Sequence, residues 1–351
     1  MNDTILSPRQ KSILNLINQS NGISREAVET NIKTLYDVSK PTVIRDLNTL
    51  IKSKLITSVG EARANRYYPN EQNPMLREFD LERYFLDDPD KRLGVKENFD
   101  FTIFSQLRNL YTREEKLLFK TESKSFSKVE QNYDPTSFKK ELERFVIELS
   151  WKSSKIEGNT YTLLETEALI KDGTQAVGKK KKEVAMILNH KRAFETILQN
   201  KNDFLKINMT NIRELHNALI KDLEITTGIR KHAVGITGTK YRPLDNEYQL
   251  REALEKCLDI VNNLRDPLEK ALVISFMVPY IQPFADGNKR TARMLTNAVL
   301  LAHNLYPLSY RSVSEDQFKK SLILFYEQGS VVSYKKLFVE QFIFANRTYF
   351  I

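Results

Sequence analysis

Cysteine is nearly absent from this chain of 351 residues, and glycine and proline are both scarce. The single cysteine, Cys257, excludes an internal disulfide and a zinc site made of several cysteines, so we expect a reducing compartment. There are eleven glycines and eleven prolines, whereas leucine, lysine, glutamate and isoleucine dominate. That composition favours helices over a fold rich in sheet.

Long hydrophobic runs are also missing. The most apolar segment, residues 271–281, is too short to span a bilayer. The first residues, MNDTILSPRQ, lack the apolar core of a signal peptide. We therefore expect a cytoplasmic protein with no membrane partner. Its length exceeds that of one compact core of typical size and predicts two or three domains.

The formal net charge is +9, which permits a nucleic acid or another anion as partner without requiring one. Residues 1–70 hold ten Lys or Arg against six Asp or Glu, so this part is only mildly basic. Residues 179–182 are a run of lysines with two interpretations, an anion site or a solvated loop.

Residues 1–70 show the pattern of three helices followed by a hairpin. Ser7 and Pro8 are typical of a helix start, as are Ser39 and Pro41. A short second helix fits residues 25–30 between them. Two β-rich stretches, 55–59 and 66–68, then flank a turn that contains glycine.

This order resembles a winged helix-turn-helix, and SKPTVIRDLNTLIKSKLI resembles its recognition helix. The resemblance implies contacts with double-stranded DNA, through the major groove for the helix and through phosphates for the wing. The candidate residues are Lys40, Thr42 and Arg45 on the helix and Arg63 and Arg66 on the wing. The alternative is an interaction module that binds protein or forms a homodimer.

The rest of the chain divides into a helical lead-in, about 71–145, and a succession of amphipathic helices over 146–351. A loop with Gly235, Gly238 and Pro243 interrupts these helices. The apolar spacing predicts helices at 145–155, 162–170, 182–199, 210–222, 247–264, 267–281, 288–304 and 314–328.

The most informative string is IQPFADGNKRTAR, residues 281–293. Asp-Gly-Asn just before a helix leaves backbone N–H groups unpaired, and such an N-terminus favours an anion. Arg290 and Arg293 lie three residues apart and could both reach one polyphosphate. Asp286 offers the hard oxygen that Mg²⁺ takes alongside phosphates.

This string resembles the signature of the Fic family at every fixed place except the first. The resemblance implies a mainly α Fic-type helical core with a small β-hairpin flap, and transfer of AMP from ATP to a Ser, Thr or Tyr hydroxyl of a target protein. It implies Mg²⁺ at Asp286, the α- and β-phosphates at Arg290, and the γ-phosphate at Arg293. The phosphate cradle would comprise Gly287, Asn288 and Lys289.

Two further stretches resemble Fic elements. VGITGTKYRP, residues 234–243, resembles the flap that docks the target as an added strand, through Ile236, Thr237, Gly238 and Thr239. SSKIEGN, residues 153–159, resembles the autoinhibitory motif, with Ser153 and Glu157. By that resemblance Glu157 pairs with Arg293 and blocks the γ-phosphate.

The first motif position holds Gln282, where the family has histidine. A carboxamide can hydrogen-bond the attacking hydroxyl but cannot accept its proton. Among the four histidines, His232 is the only candidate substitute, because His216 fits a packed or capping position on a helix.

Three functions follow from these residues. The first is an AMP transferase, autoinhibited by Glu157, whose activity the glutamine reduces. The alternative is a nucleotide-sensing pseudoenzyme that acts as a DNA-binding transcriptional regulator. Reverse chemistry, in which Glu157 activates water to remove AMP, is a third.

Overall fold

A computed structural model describes residues 6–20, 22–53, 55–60, 65–69 and 73–350. The chain divides into two compact units. The first comprises Met1–Val95 with Leu324–Ser333, and the second comprises Lys96–Ile323 with Tyr334–Ile351. The boundaries expected from the sequence remain predictions.

The first unit begins with three helices and a three-stranded antiparallel sheet. Strand β3 lies between β1 and β2, with Tyr67 opposite Ile23 on one side and Ser58 on the other. The two strands of the predicted hairpin are present, whereas the two-residue strand β1 was not predicted. The elements are α1 (Pro8–Asn18), β1 (Ile23–Ser24), α2 (Arg25–Lys33), α3 (Lys40–Lys52), β2 (Ile56–Val59) and β3 (Arg66–Pro69).

Local sequence explains how these helices begin and pack. Ser7 and Gln10 form a reciprocal capping box at the start of α1. Ser39 holds the cap position of α3, but its hydroxyl contacts the Thr42 hydroxyl instead of a backbone N–H. The core contains Ile13, Ile17, Val28, Ile32, Val43, Leu47 and Leu50.

The remainder of the first unit contains the short α-helix α4 (Leu81–Tyr84), two 3-10 turns and residues 324–333. Arg92 forms a buried ion pair with Glu327 at 3.1 Å, and the Tyr84 hydroxyl donates to the same carboxylate at 2.7 Å. These contacts hold residues 324–333 within this unit.

The second unit is helical, as predicted. All eight helices expected from the apolar spacing are present, and the C-terminal helix was not predicted. The helices are α5 (Arg113–Glu122), α6 (Phe126–Asn132), α7 (Pro135–Ile156), α8 (Leu163–Asp172), α9 (Lys181–Gln199), α10 (Met209–Ile220), α11 (Glu247–Asn263), α12 (Pro267–Ile281), α13 (Asn288–Ala302), α14 (Glu315–Gln328) and α15 (Val332–Thr348), of which the last two also supply residues to the first unit.

Helix α12 is buried all round, as its nearly continuous apolar sequence predicts. Its C-cap is Gln282, whose backbone is left-handed with φ 52°. A short loop then leads into α13, which is buried as far as Leu301 except at Lys289. Among the residues that the structure describes, no helix combines the length and the apolar content needed to cross a bilayer.

The hairpin predicted over residues 234–243 is not formed, and this prediction was wrong. The segment has a turn at Thr237 and Gly238 and a single parallel bridge between Arg242 and Asn98. The Arg242 N–H donates to the Glu97 carbonyl at 2.7 Å, so this backbone pairs outside the loop. A two-stranded ribbon is marginal in water, and Gly235 adds no side chain that could stabilise one.

Candidate functional site

The side chain of Asn288 makes three hydrogen bonds within the loop between α12 and α13. Its amide nitrogen donates to Gln282 Oε1 at 2.7 Å and to the Phe284 carbonyl at 2.8 Å. Its amide oxygen accepts the Phe284 N–H at 2.9 Å. The Asn288 side chain, expected in the phosphate cradle, thus stabilises the loop itself.

Gly287 starts α13 in a left-handed conformation, with φ +81°. A Cβ at this position would lie 3.2 Å from Cγ2 of Ile220, so both the backbone and the space favour glycine. The neighbouring Asp286 side chain is 69% exposed, and its Oδ1 accepts the Gly287 N–H at 2.6 Å. This turn places one accessible carboxylate beside the start of a helix.

Arg290 is a buried cation, with only 3% of its side chain exposed. It donates to the Leu219 carbonyl at 3.3 Å and lies 3.4 Å from Asp286 Oδ2. Burial lowers the pKa of Arg290, while the Asp286 and Glu157 carboxylates oppose the shift. The Leu219 carbonyl belongs to the last turn of α10, where the helix dipole favours a positive charge.

Arg293 makes all its side-chain hydrogen bonds in the described structure to α7 and its C-cap. Nε donates to Ser153 Oγ at 2.8 Å, Nη2 to the Ser153 carbonyl at 2.9 Å, and Nη1 to Glu157 Oε1 at 2.9 Å. The Arg293 side chain is 1% exposed. Ser153, Glu157 and Arg293, which the sequence analysis grouped, therefore meet in space.

Glu157 caps the C-terminus of α7 and contacts two cations. Its second oxygen lies 3.0 Å from Nζ of Lys289. Burial would raise the pKa of Glu157, but the charges of Arg293 and Lys289 outweigh it and lower the pKa to about 2. The carboxylate is thus ionised at neutral pH and pairs with Lys289 and Arg293, two residues that are expected to bind phosphate.

His190, on α9, joins this cluster through Ser153. Its Nε2 lies 2.8 Å from Ser153 Oγ, and its Nδ1 lies 2.7 Å from the Met186 carbonyl. Burial, with a smaller contribution from Arg290 and Arg293, lowers the pKa of His190 to about 3, against the opposing Met186 hydrogen bond. The ring is therefore neutral at physiological pH.

The loop expected to dock a target is anchored by Arg230, which is 5% exposed. The guanidinium donates to the Gln282 carbonyl at 2.7 Å, to the His232 carbonyl at 2.6 Å and to the Leu244 carbonyl. Both ends of the loop are thus tied to the backbone of the motif. Within it, Thr237 and Gly238 are exposed, and Ile236 and Thr239 are half-buried.

Comparison with known proteins supports the resemblance. Residues 206–300 match the sequence model of the Fic/DOC family, and they include the motif loop, the anchored loop and α10. The chain contains a Fic domain. Protein adenylyltransferase fic-1 of Caenorhabditis elegans is 27% identical over 161 residues, which cover 44% of this chain and 31% of the relative. Protein adenylyltransferase Fic of Nematostella vectensis is 31% identical over 176 residues, which cover 46% and 39%.

Solved structures show the same fold. Fic-1 of C. elegans (residues 134–508) aligns with a TM-score of 0.55 and 18% identity, covering 67% of this chain and 70% of that one. A Fic-domain signalling protein from Bacteroides thetaiotaomicron aligns with a TM-score of 0.53 and 20% identity, covering 66% and 94%. This chain spans 31% and 39% of the length of the two curated relatives above.

The Fic domain of this chain has no proton acceptor at Gln282. The amide donates to the Pro279 carbonyl at 2.8 Å and accepts from Asn288, so both ends are engaged within the loop. His216 stacks on Phe284 with ring centroids 3.7 Å apart, and its Nε2 donates to the Asp286 carbonyl at 3.0 Å. Burial lowers the pKa of His216 to about 4, which fits the packed position expected for it. His232 is exposed, and its role as a substitute base remains a prediction.

The described residues contain no group of three or more His, Cys, Asp or Glu side chains that could hold a metal ion. Asp286, exposed at the loop, fits a Mg²⁺ ion that shares phosphate oxygens and water rather than one enclosed by protein.

The lysine run contributes to the loop that follows Glu157. Lys179 donates to the Thr160 carbonyl at 2.7 Å and lies 3.4 Å from Glu165. Lys182 pairs with Glu224 at 2.7 Å. Both lysines are thus paired with groups of this chain, which argues against the anion site of the two interpretations.

Four of the five DNA-contact candidates lie among the described residues, on α3 and β3. Lys40 and Arg45 are exposed and Thr42 is half-buried on α3. Arg66 is exposed on β3, with one nitrogen donating to the Gly22 carbonyl at 3.2 Å. Arg63 lies outside the described residues. The winged-helix assignment and DNA binding remain predictions.

Sequence reasoning missed two residues of this site, His190 and Arg230. Both are buried polar side chains inside segments whose pattern indicates a helix or a loop, so neither stands out by spacing. The signal available for Arg230 was its place next to the glycine-rich loop. For His190 it was a histidine on the buried face of an amphipathic helix, which more often indicates packing.

Proposed function

We propose that the second unit is a Fic-type protein adenylyltransferase module that acts in the cytoplasm. It transfers AMP from ATP to a Ser, Thr or Tyr hydroxyl of a target protein. The observation that carries this proposal is the convergence of Arg293 and Lys289 on the Glu157 carboxylate, at 2.9 and 3.0 Å. Two cations beside a helix start are suited to a polyphosphate, and an internal carboxylate occupies them here.

The expected reaction is attack of the target hydroxyl on the α-phosphorus, with release of pyrophosphate. Arg290 and Arg293 stabilise phosphate charge, and Arg290 is already fixed by Leu219 and Asp286. The hydroxyl proton needs an acceptor, and Gln282 cannot provide one. General-base catalysis contributes about 10²–10⁴-fold, so transfer by the chain with Gln282 is slow.

Mg²⁺ would be held by Asp286 together with phosphate oxygens and water. When bound, the ion supplies neutralisation of phosphate charge. The Gly287 N–H orients one Asp286 oxygen at 2.6 Å, which leaves the exposed side of the carboxylate for the ion. Docking of the target is assigned to residues 236–239 on the loop anchored by Arg230.

Glu157 is the inhibitory residue of this proposal. Its negative charge competes with the γ-phosphate for Arg293, and Ser153 holds the same guanidinium through two further contacts. Removing the charge therefore makes the arginine available to the nucleotide.

Calorimetric titration with Mg·ATP tests nucleotide binding and inhibition together. We expect Glu157→Gln to bind ATP at least about tenfold more tightly than the wild type, since a hydrogen bond to a charged group contributes about 1.5–3 kcal/mol. Glu167→Gln, at a half-buried carboxylate on α8 that pairs with Lys171 at 2.7 Å, is the matched control and leaves the affinity unchanged. Absence of ATP binding by both the wild type and Glu157→Gln would refute the nucleotide site. Equal ATP affinities of these two proteins would refute inhibition by Glu157.

The alternative function is a nucleotide-sensing pseudoenzyme that regulates transcription through DNA binding by the first unit. It is favoured by Gln282, whose amide is engaged by Pro279 and Asn288, and by the exposed Lys40 and Arg45 on α3. Binding to double-stranded DNA that weakens with salt, and that is lost in a Lys40→Glu, Arg45→Glu variant, would support this function. Salt-independent or absent binding would contradict it.

A further inference from the structure

The hydrogen bonds around His190 fix the direction of the Ser153 hydroxyl. Nδ1 lies 2.7 Å from the Met186 carbonyl. A carbonyl only accepts hydrogen bonds, so Nδ1 carries the hydrogen. The buried ring is neutral, so Nε2 presents a lone pair. Ser153 Oγ, 2.8 Å from Nε2, must therefore donate its only hydrogen to the histidine.

This direction makes the Ser153 oxygen an acceptor for Arg293. Nε of Arg293 donates to Oγ at 2.8 Å, which would be repelled if the hydroxyl hydrogen pointed at the guanidinium. Ser153, His190 and Arg293 are each almost fully buried, so water does not compensate for a lost contact. The ring on α9 thereby acts on an arginine on α13 through a serine on α7.

We propose that His190 is a positioning residue that lowers nucleotide affinity by holding Arg293 on α7 through the Ser153 hydroxyl. The inference deepens the proposed function and rests on it, because it requires Arg293 to bind phosphate. Without an acceptor at the Nε2 position, Ser153 turns its hydrogen to another acceptor and the contact with Nε of Arg293 weakens. Arg293 then reaches the nucleotide more easily.

Two variants of similar polarity separate this role from simple packing. Glutamine can place its amide oxygen near the position of Nε2, whereas asparagine is one methylene shorter and reaches only the region of Nδ1. We expect His190→Asn to bind Mg·ATP roughly three- to tenfold more tightly than the wild type, the effect of one neutral hydrogen bond. We expect His190→Gln to change the affinity by less than about twofold. If His190 only filled space, His190→Asn would not bind ATP more tightly than His190→Gln.

A double-mutant cycle with Ser153→Ala completes the test. Ser153→Ala alone should tighten ATP binding, and adding His190→Asn should have no further effect, because the hydroxyl through which His190 acts is gone. An additive effect would contradict the proposal. If His190→Asn does not fold, unchanged ATP affinity in Ser153→Ala contradicts it instead.

The control with Glu157→Gln distinguishes this inference from the proposed function. If Glu157→Gln gains affinity while both His190 variants match the wild type, the role of His190 is refuted and the nucleotide site stands. If no variant binds ATP, the proposed function itself fails.

Discussion

The carboxylate of Glu157 is 16% exposed and lies against two cations. Its pKa of about 2 is below the value of about 4.3 expected in an unfolded chain. The ion pair therefore contributes fully to stability above that unfolded pKa, and its contribution is lost progressively as the pH falls from there through the folded pKa of about 2. We therefore expect the inhibition proposed for Glu157 to be insensitive to pH in the physiological range.

Substitution of Gly287 measures how much this residue contributes to stability at the loop between α12 and α13. We expect Gly287→Ala to destabilise the chain by about 1–2 kcal/mol from its left-handed backbone, and further from the contact with Ile220 at 3.2 Å. Gly173→Ala is the control, since Gly173 also has positive φ but no atom within 4 Å of the added Cβ. Urea unfolding measures both, and equal losses would show that the Ile220 contact is unimportant.

Single residues also show the limits of sequence reasoning. The motif identified which residues surround the site, and the structure brings Ser153, Glu157, Lys289 and Arg293 together. The motif alone could not show that the Asn288 side chain turns inward to the Phe284 backbone. Spacing along the sequence does not determine the rotamer of a residue at a helix start. The roles of these residues remain proposals.

Among the elements, helices were predictable and the loop conformation was not. Helix α7 begins nearer the N-terminus than the apolar pattern suggested, since Asp134 caps it and Pro135 starts it. The predicted hairpin at 234–243 depended on pairing between its own two arms. Pairing of Arg242 with residues 97 and 98 replaces it, and such a long-range contact leaves no local pattern.

Arg230 holds both ends of this loop through the His232 and Leu244 carbonyls. We expect Arg230→Lys to lose most of the three carbonyl contacts, because an ammonium group cannot reproduce the guanidinium fork. Amide hydrogen exchange in residues 232–244 should then be faster by about tenfold or more, while α12 and α13 keep their protection. Arg251→Lys, at an arginine that is 48% exposed on α11, is the control. Unchanged exchange in the loop would show that Arg230 does not anchor it.

At the scale of the whole molecule, two buried histidines couple stability to pH. The pKa values of His190 and His216 are lowered to about 3 and about 4, against about 6.5 in the unfolded chain. The unfolded state therefore binds more protons as the pH falls below about 6.5. Stability decreases by up to about 1.4 kcal/mol per pH unit for each histidine until the folded pKa is reached.

Unfolding followed by the fluorescence of Trp151, the only tryptophan, reports this dependence for the second unit. We expect the urea midpoint to fall between about pH 7 and about pH 5, and to fall less in His190→Gln. His232→Gln, at an exposed histidine, should behave like the wild type. A midpoint that stays constant in the wild type would show that the buried rings are not held neutral.

Transfer of AMP from α-labelled ATP to proteins of a cell lysate tests whether the second unit is an adenylyltransferase. The chain would carry Glu157→Gly, either with Gln282 or with Gln282→His, and Arg293→Ala in the histidine form is the control. We expect strong labelling with Gln282→His, about 10²–10⁴-fold less with Gln282, and none with Arg293→Ala. Absence of labelling by the histidine form, although it binds ATP, would contradict the transferase and favour the nucleotide-sensing regulator.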